Sequence, residues 1–216
     1  METTEAKIIL IRHGQSLGNA KKIYLGHTDL DLSDFGRRQA SVAAEYFKNE
    51  KISAIYSSDL LRAYNTAVPF SENYGLAINK TEGLREVYLG KWEGLLISEI
   101  LDKWNDEFVL EWSGKFGSMA PPDGESVFEA GKRVYDELLS IAKANEGKIL
   151  ATLHAAAIRA FWGYANAVEP SKWAEFVPFP TNASASFVGF DGEKLIPIRY
   201  SFDDYLQGLK AFINEA

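Results

Sequence analysis

Two apolar runs in this chain stop in the same way, and that constrains its fold more than any other feature. Ile8-Ile9-Leu10-Ile11 runs into Arg12-His13-Gly14, and Ile149-Leu150-Ala151-Thr152-Leu153 delivers His154. Short apolar runs rich in β-branched residues and closed by polar groups read as buried strands, the kind found in a parallel sheet covered by helices. In such a sheet both histidines reach one edge, beyond which open α/β sheets bind their ligands. The chain has only three histidines, so two at equivalent strand ends mark the place to look for chemistry.

The rest of the chain alternates strand and helix signals. A turn-rich stretch reaches Asp31, and Ser33 can N-cap a helix of about sixteen residues with Val42, Tyr46 and Phe47 at apolar positions. Ala54 to Tyr56 reads as a strand. Ser57-Ser58-Asp59 is a cap-rich step into a helix through Arg62 to about Tyr74, and a short strand follows near Leu76 to Asn79. The segment 83–122 breaks the rhythm with Trp92, Trp104, Trp112, Phe108 and Phe116. It predicts a helix around Ser98 to Glu111 and reads as an insertion over one end of the sheet. Pro121-Pro122-Asp123-Gly124 is a turn, and Ser126 can cap a long helix to about Asn145 that Glu146-Gly147 ends. Lys148 to Leu153 is a strand, and a helix should start at Ala155 and run to about Ala165. Ala185 to Phe190 and Leu195 to Tyr200 flank Asp191-Gly192 as a hairpin. The expected fold is α/β, a three-layer αβα sandwich with a mostly parallel central sheet.

With 216 residues, 46% of them hydrophobic, the chain can bury a sizeable core. At about 150 residues per domain it reads as one domain, 1–216, carrying the insertion. It has no cysteine, which removes disulfides, Cys-ligated metal centres and a thiolate nucleophile. Lys and Arg number 23 against 30 Asp and Glu, a net charge of -7. That balance opposes nucleic-acid or acidic-membrane binding, which needs a dense basic surface. The N-terminus carries Glu2 and Glu5 rather than a positive n-region, and the apolar run after it is too short for a signal or membrane segment. The expected compartment is therefore the cytoplasm. A homo-oligomer is left open.

Arg62 lies a few residues beyond the second strand, so it can reach the same edge as Arg12, His13 and His154. Two guanidiniums and two imidazoles would make a cationic pocket shaped for a phosphoryl group, which the acidic total conceals. Each residue also has a plainer reading. A strand-end histidine is often a hydrogen-bonded structural group, Arg62 could be a solvated charge, and Glu86 could pair with neighbouring Arg85. His27 reads as a loop or pocket-rim residue, and the insertion aromatics as core, with some at the pocket mouth.

Several motifs stand in a shared order. They are Arg12-His13-Gly14-Gln15-Ser16 with Asn19; Gly26-His27-Thr28-Asp29 and Leu32-Ser33; Gly36 and Gln39-Ala40; and Tyr56-Ser57-Ser58-Asp59-Leu60-Leu61-Arg62-Ala63 with Thr66. Leu84-Arg85-Glu86, Gly90-Lys91-Trp92-Glu93-Gly94 and Pro121-Pro122-Asp123-Gly124-Glu125-Ser126 complete the series. In order and spacing the sequence resembles the histidine phosphatase superfamily, the phosphoglycerate mutase-like proteins, over most of its length. The resemblance implies the phosphoglycerate mutase-like fold and a reaction with no cofactor and no metal ligands. It implies His13 as nucleophile, forming a phosphohistidine, with Arg12, Arg62 and His154 gripping the equatorial oxygens. Glu86 would protonate the leaving alkoxide and then activate water. Asn19 would be a further phosphate contact, the backbone around Gln15 would orient the loop, and Ala155 would offer a backbone N–H. Here the chain departs from the family, which usually has Gly after the second histidine. Ala155-Ala156 keeps the amides of a helix start but adds methyl groups and resists positive φ, which bears on loop geometry and on room for substrate.

A mutase acting on phosphoglycerate must also hold a carboxylate and keep water from the phosphoenzyme, which calls for basic residues in the insertion. From Lys91 to Gly117 there are three Lys, no Arg and six acids. The expectation is therefore a phosphatase hydrolysing small phosphomonoesters, with a small phosphorylated metabolite as its partner and a mutase as the alternative. Asp29-Leu30-Asp31-Leu32 fits the aspartate-nucleophile pattern of haloacid dehalogenase-like enzymes, but it follows a turn-like stretch where that pattern needs a hydrophobic strand. A weakly active phosphate-binding interaction protein on an enzyme fold is the non-enzymatic alternative.

Overall fold

The computed structural model describes residues 5–104, 109, 115 and 117–210. The strands are β1 (Ile8–Arg12), β2 (Ile52–Ser58), β3 (Ile78–Thr81), β4 (Lys148–Leu153), β5 (Ala185–Phe190) and β6 (Leu195–Phe202), in one sheet of order β3-β2-β4-β1-β5-β6. β1 pairs in parallel with β4, from Ile8 opposite Ile149 to Arg12 opposite Leu153, and β2 is parallel to both β4 and β3. The hairpin β5-β6 adds antiparallel strands beside β1. β1 is therefore covered on both edges, and Ile8, Ile9, Leu10 and Ile11 are all fully buried. Each such side chain contributes roughly 1.5–3 kcal/mol by leaving water.

Side chains alternate across a strand, so one run of isoleucines feeds two cores. Ile8 and Leu10, with Ile149, Ala151 and Leu153, pack against Val134, Leu138, Ala157, Ile158 and Phe161. These come from α5 (Val127–Ala144) and α6 (Ala155–Ala165). Ile9 and Ile11, with Ile55 and Leu150, pack against Ala43, Ala44, Phe47, Ala67 and Phe70 on the other face. Those belong to α2 (Asp34–Phe47) and α3 (Leu61–Tyr74). The result is the expected αβα layering around a mostly parallel sheet. A third cluster joins Val87, Leu89, Trp92 and Ile100 to Val127 of α5, Ala160 of α6 and Trp173, and so seats part of the 83–122 segment on those helices.

Boundaries differ where contacts distant in sequence decide them. Ser33 and Ser126 cap α2 and α5 as expected, Ser126 in a capping box with Glu129. α3 does not use a local cap: β2 continues through Ser58, the N-cap is Leu60, and the Leu61 N–H donates instead to Asp29 Oδ1 at 2.7 Å. The short strand expected at 76–79 lies at Ile78–Thr81, in register with Ile55 to Ser58. A short α1 (Leu17–Ala20) sits in the stretch read only as turns, closed by a capping box between Ser16 and Asn19. The helix expected from Ser98 to Glu111 is present as α4 (Ile97–Lys103). It ends there rather than at Glu111, because the Trp104 backbone is extended; Phe108, Trp112 and Phe116 lie outside the described residues. No described helix is long and apolar enough to cross a membrane.

Candidate active site

The parallel strands β1, β2 and β4 end at one edge, bringing Arg12-His13, Ser58 and His154 together. Register does this work: Arg12 is opposite Leu153, and the His13 N–H donates to the Leu153 carbonyl at 2.9 Å. The His13 and His154 rings lie edge to face with centroids 5.2 Å apart. The loop after His13 reaches its path because Gly14 and Gly36 pass backbone to backbone. A Cβ on Gly14 would stand 2.3 Å from the Gly36 carbonyl oxygen, and one on Gly36 would stand 2.0 Å from that of Gln15.

His13 is buried, and its Nδ1 lies 2.6 Å from the Gly14 carbonyl oxygen. A carbonyl only accepts, so Nδ1 carries the proton and Nε2 the lone pair. Desolvation, then Arg62 and Arg12, hold His13 well below the ordinary histidine pKa. His154 is fully buried and held low by desolvation, then Arg62 and His13. Its Nε2 lies 2.8 Å from Ser58 Oγ, while its Nδ1 has no hydrogen-bond partner among the described residues.

Arg62, 1% exposed, donates to the Gly26 carbonyl at 2.7 Å and the Thr28 carbonyl at 2.9 Å. Burial lowers its pKa, with Glu86 the largest opposing charge. Neutral carbonyls aim the guanidinium without cancelling its charge, so it remains available to an anion. Glu93 stiffens the same loop by accepting from the His27 N–H at 2.7 Å and the Thr28 hydroxyl at 3.2 Å. Arg12 donates to the Pro180 carbonyl at 2.5 Å, and burial pushes its pKa down to about 10, which leaves it charged at neutral pH. Its Nε has no partner among the described residues.

Glu86 does not pair with Arg85, which instead grips Asp59 through two hydrogen bonds of 2.8 and 2.5 Å. The Glu86 carboxylate accepts the N–H groups of Ala156 (3.1 Å) and Ala157 (2.7 Å) in the first turn of α6, and that of Val87 (3.0 Å). The unpaired amides of a helix start thus fix the place and direction of the Glu86 carboxyl group. This also shows what the Ala155-Ala156 departure does. Neither residue is among those with positive φ; both lie in an ordinary helical turn that begins at His154.

Arg12, His13, Asn19, Arg62, Glu86, Ala155 and Ala156 line one cavity of about 400 Å³, whose outer wall includes Tyr24, Leu25, Val87, Leu89, Ile97 and Phe179. His154, whose ring meets that of His13, is not among the lining residues. The Asn19 Oδ1 is taken by the Ser16 N–H (3.1 Å) and Asn182 Nδ2 (3.3 Å), leaving its amide Nδ2 as the group to offer an anion. Gln15, like His154, is not among the residues that line this cavity. Its N–H donates to Gln39 Oε1 at 2.8 Å and its Oε1 lies 2.8 Å from the Ser33 hydroxyl, so it braces the loop against α2. His27 faces outward, with Nε2 2.9 Å from the Glu86 carbonyl oxygen. Ser58, Asn182 and Glu93 were not expected in these roles. For Ser58 the signal was available, since it ends a strand parallel to the one that delivers His154.

The model of the histidine phosphatase superfamily (branch 1) matches residues 8–202. The chain belongs to the histidine phosphatase superfamily. Phosphoserine phosphatase 1 of Hydrogenobacter thermophilus is 29% identical over 201 residues, which cover 93% of this chain and 94% of that protein. Phosphoglycerate mutase-like protein 4 of Arabidopsis thaliana is 34% identical over 193 residues, 88% of this chain and 82% of that one. Among solved structures, mycobacterial glucosyl-3-phosphoglycerate phosphatase in complex with VO3 superimposes with a TM-score of 0.83 at 28% identity. It covers 92% of this chain and 100% of its own. This member of the histidine phosphatase superfamily is accordingly an enzyme of the phosphomonoesterase type, with the phosphoglycerate mutase-like fold.

Proposed function

We propose that the enzyme hydrolyses small phosphorylated metabolites by double displacement at His13. The observation that carries this is the Nδ1–H hydrogen bond to Gly14 at 2.6 Å, which leaves a neutral Nε2 lone pair between two arginines. Nε2 attacks phosphorus, the P–O bond to the alcohol breaks, and Glu86 gives its proton to the departing oxygen. Glu86, now a carboxylate, takes a proton from water as that water attacks the phosphohistidine. The P–N bond breaks, inorganic phosphate leaves and His13 is neutral again. Arg12 and Arg62, with the Asn19 amide and the first turn of α6 at Ala155, bind the phosphoryl oxygens and gain most as charge builds on them. With the Ser58 hydroxyl donating to Nε2, His154 carries its proton on Nδ1 and offers that N–H to the same group.

Hydrolysis rather than mutase chemistry is supported by the cavity wall. Besides Arg12 and Arg62, its one cation among the described residues is Lys22, and the sequence 105–114 contains no Lys, Arg or His. Relatives that carry phosphoserine phosphatase and glucosyl-3-phosphoglycerate phosphatase names act on small phosphomonoesters, the substrate class proposed here, for an enzyme of the cytoplasm. The test is release of phosphate from an aryl phosphate in EDTA, with acid quench to trap a phosphoenzyme. His13→Ala should abolish both. A requirement for Mg²⁺, or turnover that persists in His13→Ala, would overturn the mechanism. Efficient interconversion of 3- and 2-phosphoglycerate with a bisphosphoglycerate primer would establish the mutase, and binding of phosphate without turnover would establish a binding protein.

A further inference from the structure

Glu86 is held at both ends. Its carboxylate rests on the amides of α6, and its own peptide is gripped from outside the cavity by Arg133 on α5. Arg133 Nη1 donates to the carbonyls of Gly83 (3.0 Å) and Arg85 (3.1 Å), and Nη2 to that of Glu86 (3.3 Å). Glu125 holds the guanidinium through Nη2 at 2.6 Å and also accepts the Tyr88 N–H at 2.9 Å, while its own N–H donates to the Tyr88 carbonyl at 3.0 Å. Arg133 and Glu125 line a separate outer cleft with His27, Arg85 and Tyr88, so neither reaches the reacting atoms directly.

We propose that Arg133, set by Glu125, is a positioning residue that fixes the Glu86 carboxyl where it must meet the leaving-group oxygen. The inference rests on the reading of Glu86 as the acid. A planar fork can collect several carbonyls of one segment while staying paired with a carboxylate, whereas an ammonium is a single point with no fixed plane. Proton transfer is sensitive to this, because a misplacement of about 1 Å can cost about a hundredfold.

Leaving groups separate positioning from general stability. Nitrophenolate departs without a proton, whereas an alkoxide needs one, and kcat/KM reports only the steps through release of the alcohol. Glu86→Gln should lower kcat/KM for an alkyl phosphate about a hundredfold or more and for p-nitrophenyl phosphate far less. Arg133→Lys and Glu125→Gln should show the same pattern at smaller scale. The expected loss is about tenfold on the alkyl ester and less than about twofold on the aryl ester. With the aryl ester, slower water activation should raise the trapped phosphoenzyme. Equal losses on both esters in the Arg133 and Glu125 variants, with Glu86→Gln behaving as stated, would overturn the positioning role. No leaving-group dependence in Glu86→Gln would overturn the reading of Glu86 itself. Circular dichroism and thermal melts identify any variant that fails to fold, and Glu125→Gln, which keeps an acceptor for Tyr88, then decides the matter.

Discussion

The imidazoles of His13 and His154 meet edge to face, centroids 5.2 Å apart and planes at 62°, with Arg62 lowering the pKa of both. Two protonatable rings at this distance beside a buried cation cannot both charge, so the folded site keeps them neutral.

That arrangement sets the response to pH. The folded form disfavours the proton, while the unfolded chain takes it at about 6.5, so the unfolded state binds more protons below that value. Stability is fully present above about pH 6.5. It falls as pH drops toward the depressed folded pKa, by up to about 1.4 kcal/mol per pH unit for each histidine. Urea titrations at pH 7 and 5.5 should show a smaller acid loss for His13→Asn than for the wild type. The acid limb of kcat/KM should also lie below pH 6.5; a limb at or above the ordinary histidine value would contradict a neutral nucleophile held by desolvation.

Ser58→Ala removes the hydroxyl 2.8 Å from His154 Nε2 and frees the ring to change tautomer. The buried nitrogen left unsatisfied should cost about 1–3 kcal/mol in stability. Loss of a directed hydrogen bond to the phosphoryl group should lower kcat/KM about tenfold, equivalent to about 1.4 kcal/mol. Wild-type rates in a folded Ser58→Ala protein would remove Ser58 from the site.

Gly36→Ala places a methyl 2.0 Å from the Gln15 carbonyl oxygen. Since a backbone atom cannot rotate away, the loop carrying His13 must shift, at about 1–3 kcal/mol. The thermal midpoint should drop by about 2–4 °C for each kcal/mol, with kcat falling along with it. An unchanged midpoint would show that the two backbones are not in contact.

Ala155→Gly restores the family's usual residue. Because Ala155 already adopts helical φ in the first turn of α6, the change should leave kcat/KM within about twofold and cost up to about 1 kcal/mol in stability. A large gain in activity would mean that the Ala155 methyl obstructs the cavity it lines.

The sheet edge with its two histidines was legible because a strand signal is local: a run of apolar residues ends, and the polar residues after it stand at the carboxyl edge of the sheet. Arg62 and Glu86 were legible through motif order. The Asp29 cap on α3, the Ser58 partner of His154 and the Arg133 clamp were not. Each joins residues more than thirty positions apart, and no periodicity in the chain encodes such a pairing.

Gln15 stands two residues after His13 and turns toward Gln39 and Ser33. Its expected part in orienting the loop was legible from the motif, but the partners that hold it on α2 were not. The sequence by itself determined the αβα layering and which histidines and arginines share an edge, because strand run, helix cap and spacing are properties of short segments. Only the tertiary structure decided the charge state and aim of those groups. Desolvation of His13 and His154, the carbonyl grip on Arg62, and the pairing of Arg85 with Asp59 that leaves Glu86 to α6 all arise from distant surfaces meeting and excluding water.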